Sequence, residues 1–99
     1  MVTTVSRVRL RDDAGPTWDQ VMEERLEAVR RLPGWVSGQV LKPIDDASRR
    51  VIVGTWRSRS DWEEWHQSPA FRATRERLDR LEAGPREQWW HEVTVAAQR

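Results

Sequence analysis

The chain has no cysteine, no tyrosine and no asparagine, and a single phenylalanine. Without cysteine there is no disulfide, no thiolate metal site and no cysteine nucleophile, and the redox compartment stays open. Whatever chemistry the chain performs must be built without phenol, thiol or asparagine amide. Long apolar runs are missing too, and the opening MVTTVSRVRL lacks the apolar core of a signal peptide. The expectation is a cytoplasmic protein with no membrane partner.

Charge of one sign is equally scarce. Charged residues make up 33% of the chain, yet the net charge is only +1, so no concentrated basic stripe is available and no nucleic-acid partner is expected. There is no Gly-rich phosphate loop and no G-x-S-x-G elbow, which removes nucleotide binding and serine hydrolysis. Two histidines 25 positions apart make no closed zinc site, and no metal is expected.

Against these absences stand seven tryptophans in 99 residues. The length suits one domain, 1–99, and a chain this small buries a modest fraction of its surface. Covering a further apolar face in a homodimer would help.

The hydrophobic pattern reads β-α-β-β-α-β. Thr3 to Leu10 alternates with β-branched richness, as a strand does. After the breaker run DDAGP, Thr17 and Gln20 fit a capping box. Trp18, Met22, Arg25, Val29 and Leu32 then recur at helical spacing, with basic residues in the last turn and a stop at Pro33-Gly34. Trp35 to Leu41 and Arg50 to Arg57 form a hairpin around the polar turn KPIDDAS. Ser60 with Glu63 predicts a short helix, and Ser68-Pro69 restarts it along Phe71, Thr74, Leu78 and Leu81. Glu87 to Ala96 closes as a strand, with Trp89, His91, Val93 and Val95 on one face and Trp90, Glu92 and Thr94 on the other. The fold class is α+β, a ferredoxin-like antiparallel sheet with its helices on one face. Its other face needs a cover, and a second copy of the sheet is the simplest.

The stretches LPGWVSGQVLKP and RRVIVGTWRSRSDWEEWHQSPAF resemble the antibiotic biosynthesis monooxygenase domain family, through Pro33, Gly34, Trp35, Trp56, Ser58, Trp65, Ser68 and Pro69. The resemblance implies a dimeric α+β barrel with one pocket per subunit between helices and sheet. Its branches include cofactor-independent oxygenases of aromatic polyketides and heme-degrading oxygenases. By that resemblance Trp65 is the pocket tryptophan. The heme degraders' axial histidine falls on Thr74 or Arg75, and their first-strand asparagine has no counterpart. The polyketide oxygenases' asparagine and tyrosine fall on Asp61 and Phe71.

The candidate acid-base groups are His91, Asp61 and His66, because imidazole and carboxylate move protons near neutral pH. His91 shares a strand face with Trp89 and is the favoured base. His66 follows Trp65 by one residue, about 100° around a helix, and is expected to point elsewhere. Trp65, Trp62, Trp56, Trp89 and Trp90 are candidates for an aromatic box around a planar ligand, with Phe71 a further candidate substrate contact; the alternative is that the tryptophans fill the core and the dimer interface. Arg75 is the candidate cation for a substrate phenolate or carboxylate. Trp89 and Trp90 point to opposite faces, so one should pack under the helices and the other meet the partner subunit.

The leading expectation is a homodimeric, cofactor-free monooxygenase that deprotonates a small aromatic substrate to an anion that reduces dioxygen. One alternative is a heme-binding or heme-degrading protein. Another is a non-catalytic dimeric ligand-binding or interaction module.

Overall fold

A computed structural model describes residues 1–99 as β1 (Val2–Arg9), α1 (Gly15–Val29), β2 (Trp35–Leu41), β3 (Arg49–Trp56), α2 (Arg59–His66), α3 (Pro69–Leu81) and β4 (Glu87–Glu92). The four strands form one sheet in the order β2-β3-β1-β4, antiparallel throughout. This is the expected ferredoxin-like arrangement, with the helices on one face. No helix is long and apolar enough to cross a membrane.

The helix boundaries differ from the sequence expectation in instructive ways. α1 starts at Gly15, not Thr17; Pro16 occupies the first turn and Ala14 caps without a side-chain bond. Pro at this position has φ preset and no N–H to satisfy, so it competes successfully with the Thr17 box. α1 also stops at Val29, which leaves Arg30 as its C-cap and no base in its last turn. α2 is capped by Ser58 rather than Ser60: the Ser58 hydroxyl accepts from the Asp61 backbone N–H at 3.2 Å. Ser58 is still extended at the end of β3, as a cap requires, whereas Ser60 is already helical. Ser68 caps α3 as expected, accepting from Phe71 N–H at 3.2 Å. β4 ends at Glu92, short of the Ala96 expected.

Alternation sorts each strand between two faces. Thr4, Ser6 and Val8 of β1 and Arg50, Gly54 and Trp56 of β3 are buried beneath the helices. Val5, Val51, Val53 and Trp89 belong to the opposite face, where no layer of this chain covers them. Under the helices the core falls into two clusters. One gathers Trp18, Val21, Met22 and Leu78 with Val8, Leu10 and Ala14. The other holds Val29, Trp56 and Trp65. Each large apolar side chain buried completely contributes roughly 1.5–3 kcal/mol. Trp18, Met22 and Leu78 are such residues.

Between the clusters the sheet presents small residues. Gly38 of β2 pairs with Gly54 of β3, and Gly54 pairs with Thr4 of β1. The indole of Trp35 lies across the glycine pair, so close that a Cβ on Gly38 would sit 2.3 Å from Trp35 Cη2. Trp35 then meets Trp56 edge to face at 5.2 Å. Gly38→Ala therefore forces the indole off the sheet. The expected cost is about 1–3 kcal/mol, read as a lower Tm with a shifted tryptophan emission; an unchanged Tm would refute the packing described.

Candidate functional site

Where the small residues keep helices and sheet from closing, a cavity remains. Its sheet side is Thr4, Ser6, Gly54 and Gln88, and its helix side is Arg25, Trp62, Trp65 and His66, with Trp35 and Trp56 as walls. Its volume is about 70 Å³. A larger cleft of about 500 Å³ lies on the other side of Trp56 and Trp65, bounded by Leu32, Pro33, Asp61, Glu64 and Ser68. The two tryptophans are thus a party wall.

His66 is the imidazole of the inner cavity. It is the second histidine of the expectation reversed: the residue thought to point away faces inward. α2 is only two turns long, and its inward stripe runs through Trp62 with both its i+3 and i+4 neighbours, Trp65 and His66. The imidazole stacks on Trp62 at 3.6 Å between centroids and lies against Phe71 at 4.1 Å. Its Nδ1 is 2.8 Å from the Trp62 carbonyl oxygen, which can only accept, so Nδ1 carries the proton and donates. Nε2 is left with its lone pair and no protein partner. Burial pushes the imidazole down to about 4; the Trp62 bond opposes this, and the Arg25, Arg86 and Arg75 charges add to it. His66 is therefore neutral throughout the neutral range.

The residue that sequence reasoning missed is Arg25. It is 7% exposed, on the inward face of α1 between Met22 and Val29. Its Nε donates to Thr74 Oγ1 at 3.0 Å, and its guanidinium lies 4.6 Å from the Phe71 ring centroid. Nη2 is buried with no acceptor. Burial, with the Arg86 and Arg75 charges, lowers its pKa to about 9, which leaves it charged at neutral pH. One signal was available: a charged residue stands at a core position of an amphipathic stripe. Arg86, also missed, lines the cavity but is held by Glu82, Nε to Oε1 at 2.9 Å and Nη2 to Oε2 at 2.8 Å. Trp18 Nε1 donates to the same carboxylate at 3.0 Å. Although burial works against its charge, these bonds and the Arg86 charge hold Glu82 below the usual carboxylate range.

The other candidates are distributed more widely. Trp65, Trp62 and Trp56 line the inner cavity, and Phe71 backs His66. Asp61 does not reach that cavity. It accepts from the Ser58 hydroxyl at 2.8 Å, lies against Gly34 and borders the outer cleft. Gly34 is glycine because a Cβ there would come within 2.4 Å of Asp61 Cγ. Arg75 is paired with Asp79 at 3.1 Å and lines neither cavity. His91 and Trp89 do share a strand face, but it is the face away from the helices: they pair with Thr3 and Val5 of β1. His91 is exposed there, with Nδ1 3.4 Å from the Thr3 carbonyl, so within one chain it lines no cavity of the helical side. The period of the strand was right and the face assigned to the pocket was wrong, because alternation does not say which face the helices cover. Trp90, on the helix side, meets Trp62 edge to face at 4.6 Å. No group of three or more His, Asp or Glu side chains is placed to hold a metal ion.

Comparison with known proteins agrees with this architecture. A Mycobacterium tuberculosis protein named heme oxygenase (mycobilin-producing) is 28% identical over 72 residues, spanning 73% of this chain and 69% of that protein. Among solved structures, a Nitrosomonas europaea chain superposes with a TM-score of 0.90 at 19% identity, covering 96% of this chain and 100% of its own. SnoaB, a cofactor-independent oxygenase from Streptomyces nogalater, superposes at 0.86 with 19% identity, covering 99% and 97%. At such identities the superpositions speak for the fold alone. The family model for antibiotic biosynthesis monooxygenase matches residues 1–77, more than three quarters of the chain, and the chain belongs to that family.

Proposed function

We propose that the chain is a cofactor-independent oxygenase acting on a small planar aromatic, with the inner cavity as its reaction chamber. The observation that carries this reading is His66: a partly buried, neutral imidazole with Nε2 free, walled by tryptophan rings. Family membership and the likeness to a cofactor-independent oxygenase support it. Nε2 removes a proton from an acidic C–H or O–H of the substrate. The resulting anion passes an electron to dioxygen, and the radical pair joins in a C–O bond. Loss of water from the peroxide, with cleavage of its O–O bond, turns a methylene into a carbonyl. The substrate carbon supplies every electron that dioxygen takes up. Trp62, Trp65 and Trp56 orient the ring and keep bulk water out.

Heme, suggested by the name of the Mycobacterium tuberculosis relative, would find no ligand at the position that the resemblance assigns to the axial histidine. The family's axial position falls on Thr74 or Arg75; the Thr74 hydroxyl is engaged by Arg25 and by the Phe71 carbonyl, and Arg75 is paired with Asp79.

The uncovered sheet face is the second part of the proposal: a second copy of the chain lies on it. Val5, Val51, Val53, Leu41 and Trp89 form an apolar surface on that face, with Arg7 and Glu87 side by side toward one end and the Arg7 guanidinium over the Trp89 ring. His91 then belongs to the subunit interface.

With an anthrone as substrate, the protein is expected to consume oxygen and yield the quinone after chelation of metals. His66→Gln should lower kcat/KM by about 10²–10⁴, and Trp65→Ala should raise KM. Because His66 must be neutral to accept a proton, the acid limb of kcat/KM should fall toward pH about 4 rather than near 6.5; a limb unchanged in His66→Gln would remove His66 as the base. Titration with hemin should give no histidine-ligated Soret band, and a band lost in His66→Ala would establish the heme alternative instead. Sedimentation should give a dimer that Val53→Glu converts to monomer; a monomeric wild type would remove the subunit pairing.

A further inference from the structure

We propose that the inner cavity recognises a singly charged oxyanion on an aromatic ring, held by Arg25 Nη2 beside His66 Nε2. The inference rests on the cavity being the ligand site, as in the reading above, but not on any oxidation taking place there.

Three observations lead to it. First, Arg25 is 7% exposed and its Nη2 is buried without an acceptor. An unpaired buried donor is destabilising, more so when charged, and an anionic oxygen would remove that penalty with a charge-assisted bond. Second, the charges around the cavity do not cancel. Of the two carboxylates whose charge acts on Arg25, Glu82 and Asp79, the first has both oxygens engaged by Arg86 and one also by Trp18. On α3, Arg75 and Asp79 neutralise one another. α2 contributes neutral His66, and the sheet contributes Thr4, Ser6, Gly54 and Gln88, none of them charged. Arg25 therefore leaves one positive charge without a partner. Third, the cavity, about 70 Å³, has room for a carboxylate or the oxygen edge of a ring, and Trp35, Trp56, Trp62 and Trp65 line it with aromatic surface. The carboxylates of Asp61 and Glu64 border the other cleft, beyond the tryptophan wall, and do not oppose an anion here.

The same geometry couples anion binding to a proton. The Arg25 charge is one of the causes that keep His66 deprotonated. A bound anion offsets that field, so His66 binds a proton more readily, and by linkage the anion binds more tightly when His66 is protonated. An Arg25-held phenolate is also the electron-rich form that reacts with dioxygen.

The test uses benzoate and its neutral counterpart benzamide, titrated into the full chain at neutral pH with backbone and imidazole NMR signals as readout. Benzoate should bind at least about tenfold more tightly, a difference of about 1.4 kcal/mol, and should raise the His66 pKa. 4-Nitrophenol distinguishes a phenolate from a carboxylate: bound at the site it should show the yellow ionised form at a pH where the free phenol is still protonated. In Arg25→Met the preference for benzoate should vanish and the His66 pKa should rise in the free protein, with Tm equal or higher because an unpaired buried charge is gone. In Arg25→Lys part of the preference should survive. Equal binding of the two compounds, no binding of either at millimolar concentration, or a benzoate preference that persists in Arg25→Met would each overturn the proposal. If Arg25→Met does not fold, the wild-type benzoate-to-benzamide ratio and the His66 shift decide it. Absence of turnover with intact anion preference would remove the oxygenase reading and leave this one standing.

Discussion

The site depends on one packing constraint: the sheet is too thin beneath the middle of α1 for the helices to close on it. Gly38, Gly54, Thr4 and Ser6 supply little volume where large apolar residues would otherwise meet the helix. Well-packed interiors tolerate few voids, so the gap must be walled and filled by something else. Trp35 crosses the glycines and leans on Trp56, and the two core clusters close off either end. What remains is a chamber rather than a hole in the core.

The electrostatics follow from who is paired with whom. Glu82 sits where it could have neutralised Arg25, but Arg86 and Trp18 claim it. That network ties α1 to the segment between α3 and β4. Breaking such a buried pair would leave an uncompensated charge, so Glu82 stays with Arg86 and Arg25 stays unneutralised. Burial, and after it the charges of Arg25, Arg86 and Arg75, then keep His66 free of a proton. A neutral imidazole and a guanidinium are brought to one chamber by the same arrangement, and neither is on the outer cleft, which carries carboxylates instead.

Much of this was legible in the chain. Strand alternation and helix periodicity put the elements in their order, and the family model spans residues 1–77. Trp65 was identified by its helix face and family position, and its place in the cavity wall agrees. Errors entered where two local signals competed or where a face had to be chosen. The Thr17 and Ser60 boxes lost to a first-turn proline and to a serine still in the strand conformation. His66 was set aside because it follows Trp65 by one residue, although a helix buries a stripe and not a line. His91 was favoured on a correct alternation with no information about which side the helices take.

By itself, then, the sequence determined the fold class, the caps that Ser68 and Pro69 impose, and the concentration of tryptophan around α2. These are set by the spacing of residues near one another along the chain, which periodicity and turn chemistry read directly. Only the tertiary structure decided which histidine meets the tryptophans inside the chamber, that Asp61 serves a cap and a glycine contact, and that Glu82 is spent on Arg86 rather than Arg25. The Ser58–Asp61 and Glu82–Arg86 bonds are local, but the contacts that select them over their alternatives join residues far apart in the chain, Arg25 to Thr74, Trp18 to Glu82 and Gly34 to Asp61. No local pattern encodes them, because which charge finds which partner is settled only when the helices are laid on the sheet.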